Sequence, residues 1–108
     1  MTIRPYAELI YGFGFDQGTE LSEEEATFLE ESNVHLGYGG YEGVIYAVGV
    51  LIESVQVYHG VDKALRLNAF NKESLDKQLA PLLPAIQEIF GAEVEGQEPA
   101  IHLVCGEG

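Results

Sequence analysis

The sequence predicts an α+β fold: a single-domain two-layer sandwich, with a mainly antiparallel sheet of four or five strands, one long proline-kinked helix and one short acidic helix. Three observations carry this prediction. Apolar residues recur at helical spacing over 72–90, a capped acidic stretch occupies 22–31, and the remaining apolar runs are short, alternating or glycine-bounded. A chain of 108 residues has the size of one domain, and an apolar content of 46% is enough to fill a core.

Residues 6–15, YAELIYGFGF, read as the first strand. In an extended chain Tyr11, Phe13 and Phe15 share one face, and Gly12 and Gly14 share the other, which predicts a glycine face lying close to another element such as a helix. DQGTE at 16–20 reads as a turn. Ser22 then caps a helix over 22–31, with Glu25 three residues on to complete a capping box. Glu23, Glu24 and Glu25 stand in its first turn, where the helix dipole favours anions. Ala26, Phe28 and Leu29 form its short apolar face.

A short strand at 34–38, a glycine turn and a second strand follow. Residues 43–52 are strongly apolar and 53–60 alternate, with Val55, Val57 and His59 on one side; one long bent strand or two strands parted near 51–54 both fit. The alternation of Leu65, Leu67 and Ala69 with Arg66 and Asn68 favours a strand at 61–70. Asn71 caps the long helix, whose stripe is Leu75, Leu79, Leu82, Ile86 and Ile89. Pro81 and Pro84 predict a kink or break near Ala80, and Gly91 a stop. AIHLVC at 100–105 reads as a final, fairly central strand.

Charge narrows the classes of partner. Eighteen acids against five bases give a formal net charge of −13, which repels nucleic acid and anionic membranes and attracts cationic proteins. Arg4 is the one base in residues 1–62, and the other four fall between 63 and 77. The candidate partner-binding residues are therefore Asp16, Glu20, Glu23, Glu24, Glu25, Glu30 and Glu31, with Tyr38 and Tyr41 as aromatic anchors. Carboxylates spaced over a helix can imitate a phosphate row. The expected partner is a basic protein, a nuclease or another DNA- or RNA-binding protein whose groove they occupy. A homodimer is expected where edge strands stay open. The alternatives are an interaction or structural module without mimicry, and a small enzyme using carboxylates or a Cys/His pair.

Motifs for other chemistry fail on spacing. An EF-hand starting at Asp16 would need glycine where Leu21 stands and glutamate where Thr27 stands. G12-F-G14 and G37-Y-G-G40 do not match a dinucleotide or phosphate loop. His102 and Cys105 are three apart, so a strand sends them to opposite faces. No serine sits in a nucleophile elbow. These readings predict no cofactor and no metal. The lone Cys105, the absence of a signal-peptide pattern and an apolar run of only 43–52 predict a cytoplasmic protein.

Self-repulsion within so acidic a chain should be relieved by salt. The melting temperature is expected to rise by a few degrees between about 0.1 M and about 1 M NaCl, as the screening length falls from ~10 Å to ~3 Å. Calorimetry at constant pH checks this.

Overall fold

The computed structural model describes residues 5–39, 43–56 and 71–107. The chain runs β1 (Pro5–Glu20), α1 (Glu23–Glu31), β2 (His35–Tyr38), β3 (Val44–Gln56), α2 (Lys72–Leu79), a 3-10 turn at Ala80–Leu82, α3 (Leu83–Phe90) and β4 (Ala100–Glu107). Among the described residues the strands form one antiparallel sheet in the order β2-β3-β1-β4, with the helices on one face. This is an α+β domain with a four-stranded antiparallel sheet packed against one short helix and one long, interrupted helical segment. The strand read at 61–70 and the alternation at 57–60 lie outside the described residues.

The core forms where the two periodicities meet. Tyr11, Phe13 and Phe15 from β1 and Val48 from β3 face Leu29 of α1 and Leu75, Leu79, Leu82, Ile86 and Phe90 of the long helical segment. The Phe15 and Phe90 rings lie 4.9 Å apart at 36°. The expected break near Ala80 is present, as a 3-10 turn containing Pro81; Pro84 falls in the first turn of α3, where its missing N–H costs least. The tighter winding of that turn, with fewer residues per turn, rotates the buried stripe, so Phe90 is buried and Ile89 only partly. Asn71 caps α2 through Ser74 N, and Ser22 and Glu25 form the full capping box of α1. Gly91 closes α3 with φ 47°.

Three expectations change, and one open alternative is decided. DQGTE is no turn: β1 continues through it as a wide bulge between the pairs Gly14–Ala47 and Thr19–Ile45, with Gly18 at φ 75° absorbing the bend. Of the two readings open for the apolar run, the single bent strand is the one present, over 44–56 with a bulge near Leu51–Glu53. The final strand is at the sheet edge and pairs only with β1 among the described residues. Among the described residues the glycine face of β1 meets strands and no helix. Gly12 stands opposite Gly49, and a Cβ on Gly12 would lie 2.0 Å from the Val48 carbonyl oxygen.

That close approach lets the sheet fold over its helix-free face. Gly37 of β2 sits against Ile10 of β1 and Val104 of β4, where an added Cβ would lie 2.5 and 3.2 Å from their side chains. Ile10, Ala47 and Val104 thereby form a second small buried cluster. Two polar ties reinforce the fold-over: the Tyr6 hydroxyl donates to the Tyr38 carbonyl, and Glu8 pairs with His35 at 2.9 Å.

On the other face the Tyr11 hydroxyl donates to Asp76, which also pairs with Lys72 at 2.9 Å. Burial, then the bond to Asp76, pushes the Tyr11 phenol above its ordinary 10.0. The bonds from Tyr11 and Lys72 hold Asp76 below the ordinary 3.8.

Substituting Gly12→Ala should destabilise the domain by about 3 kcal/mol or more in denaturant titrations, because no flexible side chain can yield to the new Cβ. Ser22→Ala should cost about 1 kcal/mol. The stability contributed by Asp76 is complete above its unfolded pKa and is lost as pH falls through its depressed folded value. The contribution of Tyr11 is complete below pH 10.0 and is lost as pH rises through its raised folded value. Asp76→Asn should flatten the acid limb of a stability–pH curve, and Tyr11→Phe the alkaline limb.

Candidate functional site

Helix α1 is built to show one face. Leu29 is fully buried and Ala26 packs partly into the core, while Glu25 is turned back so that its Oε1 accepts from Ser22 N at 3.0 Å. The opposite stripe consists of Glu24, Thr27, Phe28 and Glu31, three and four residues apart and therefore neighbours on the surface. With Glu23 they line one shallow recess. Phe28, read from the sequence as part of the inner apolar face, is 37% exposed on the outer stripe. Its spacing of four from Glu24 and three from Glu31 is the signal that places it there. The helix carries no basic residue.

The other candidate residues fall elsewhere. Asp16 is exposed in the bulged part of β1, and Glu20 is exposed at the end of that strand. Glu30 leans to the β2 side, lining a separate cleft with Tyr6, Glu8, His35, Tyr38 and Ser54. Tyr38 is half-buried there, and burial followed by the Glu30 charge raises its phenol pKa. Tyr41 lies outside the described residues. The fold thus gathers Glu23, Glu24 and Glu31 around Phe28, joins Glu30 to Tyr38, and leaves Asp16, Glu20 and Glu25 apart from both groups.

The cleft beside β2 was not legible in the sequence. Glu8 and His35 are 27 positions apart, and only the fold-over of β2 brings the imidazole Nε2 to the carboxylate. Burial, then the Glu8 charge, raises the Tyr6 phenol. The Glu8 side chain is 13% exposed and bonded to His35, so the pair ties β2 down onto β1 while one edge of the imidazole faces the cleft. His102 lies across the sheet from it, its Nε2 3.3 Å from the Gly12 carbonyl oxygen. Cys105 is exposed, and alternation along β4 puts it on the face opposite His102. Among the described residues no three His, Cys, Asp or Glu side chains converge as metal ligands. Among the described residues no helix is long and apolar enough to cross a membrane.

No family model matches this chain, and neither a characterised protein nor a solved structure is detectably similar to it.

Proposed function

We propose that this domain is a binding antagonist that lays the outer stripe of α1 into the basic groove of a nuclease or another nucleic-acid-binding protein. The observation that carries this reading is Phe28, exposed on a helix without bases and flanked by Glu23, Glu24 and Glu31. An apolar anchor within a ring of like charges suits a cationic surface with an apolar pocket. The ring steers and orients the encounter, and the aromatic side chain slows its reversal. Asp16, Glu20 and Glu30, with the net charge of −13, extend the attracting field beyond the stripe. The carboxylate of Glu25 is engaged in the cap and makes no part of the contact. A lone thiol without a disulfide partner fits a reducing, cytoplasmic setting.

Glu24→Gln and Glu31→Gln should each weaken binding several-fold, mainly through the association rate, and make it less sensitive to salt. Phe28→Ala should cost about 2 kcal/mol, or about 30-fold, through faster dissociation with the salt sensitivity unchanged. The test is capture from lysate on columns of the wild type and of the combined Glu23→Gln, Glu24→Gln, Glu31→Gln variant, eluted with rising salt. A basic protein held by the wild type, released earlier by the variant and blocked from nucleic acid by the free domain is the expected result. Equal retention by both columns, or a captured protein that still binds nucleic acid, removes the reading.

A further inference from the structure

The two ends of the sheet are finished differently. Strand β2 has only four residues, and its Tyr38 carbonyl is taken by the Tyr6 hydroxyl. Strand β4 has eight residues, and among the described residues nothing pairs with its outer side. Native edges of this length are usually blunted by a charge, a proline or a bulge within the strand. None occurs between Ala100 and Gly106, and the pairing of β4 with β1 runs without a register shift. Ile101, Leu103 and Cys105 alternate onto one face, and Ile101 is 45% and Leu103 63% exposed. Among the described residues Leu103 is the most exposed large apolar side chain. Beside them Leu9, Tyr11, Leu75 and Pro99 continue the apolar surface as a groove.

We infer that β4 pairs with β4 of a second copy of this chain, joining the two sheets into one through an antiparallel twofold contact centred on Leu103. Three constraints select this occupant and this register. In a chain of net charge −13, the stretch 99–106 holds no acid and no lysine or arginine, so a like-charged copy can approach it. Facing residues in an antiparallel pair must share a face, so a slip of one residue would set apolar against inner-face side chains. Centring on Leu103 faces Ile101 with Cys105, His102 with Val104 and Ala100 with Gly106 of the second copy. Centring on Val104 instead would draw Glu107 opposite Ile101, and centring on His102 would bring Pro99, which has no N–H to donate, opposite Cys105. The uncharged ladder is therefore longest, and bounded by Pro99 and Glu107, only when the axis passes through Leu103. The contact is self-complementary, as a twofold interface must be.

The dimer should respond to salt in the sense opposite to binding through α1. Screening reduces the repulsion between two acidic copies, so self-association should strengthen as NaCl rises, whereas capture of a basic partner should weaken. The experiment is sedimentation velocity of the intact chain from low to high salt, with the Leu103→Lys variant alongside. A species of twice the 11.8 kDa monomer mass, favoured by salt and weakened at least tenfold by Leu103→Lys, is the expected result. Register is read by mild oxidation of Leu103→Cys in a Cys105→Ser background. Facing residues in an antiparallel pair stand about 5 Å apart, within disulfide reach, so that variant should cross-link. The native Cys105 pair, about 14 Å apart in the same register, should not. The far-ultraviolet spectrum and melting temperature of each variant report whether it folds; Leu103 is exposed enough for both to hold. A monomer at every salt concentration overturns the inference, as does a dimer that Leu103→Lys leaves intact. Cross-linking through Cys105 but not through residue 103 overturns the register. Failure of capture through α1 bears on the antagonist reading alone.

Discussion

The backbone approach of Gly12 to Gly49 is the constraint on which the rest depends. Two residues without side chains stand opposite each other on the long central strands, so the sheet can bend there instead of lying open. Gly49 adopts φ 150°, and a Cβ on it would lie 2.1 Å from the Tyr11 carbonyl oxygen. The bend carries β2 over the face of β1 and β4 turned away from the helices, where Ile10 and Ala47 are completely buried with no helix against them among the described residues. The same movement brings Glu8 to His35 and Tyr6 to Tyr38. A small domain has little interior, and using both faces of a four-stranded sheet is one way to enlarge it.

The helical layer solves a different problem. A continuous helix from 72 to 90 would carry two prolines in its interior, each costing about 3 kcal/mol. Breaking the segment at Ala80–Leu82 moves both prolines into first turns, and the buried stripe passes from Leu79 to Leu82 to Ile86 without losing contact with the sheet. Tyr11 and Asp76 then fasten the start of this segment to β1, so the rim of the core is held by a hydrogen bond that is weakened at both extremes of pH.

Charge and apolar surface are kept apart on the outside. Helix α1 alone carries five carboxylates, while β4 from Ala100 to Gly106 is free of acids and of lysine and arginine. This segregation would let the two proposed contacts, with opposite salt dependence, share one small domain. Phe28 is the exception, an aromatic ring placed among carboxylates, and for that reason it is more informative than any acid near it.

Local chemistry was legible along the chain. The Ser22–Glu25 box, the Asn71 cap, the break at Pro81 and Pro84 and the stop at Gly91 all follow from interactions within a few residues, and they appear where those residues stand. Phe28 was misread as part of the inner apolar face, although its helical spacing sets it beside Glu24 and Glu31. Strand order was not legible, because the rank of β4 in the sheet depends on which backbone competes for β1, and alternation is the same at a centre and at an edge. Nor was the bulge in β1 between Gly14 and Thr19, where a sequence of turn residues is flanked on both sides by pairing with β3. The pairing of Glu8 with His35 and the burial of Ile10 were out of reach for the same reason. The sequence by itself determined the helical segments, their caps and the sign of the net charge, since these rest on local geometry and on composition. Only the tertiary structure decided the edge, the fold-over and the clefts, because those arise from contacts between residues far apart in the chain.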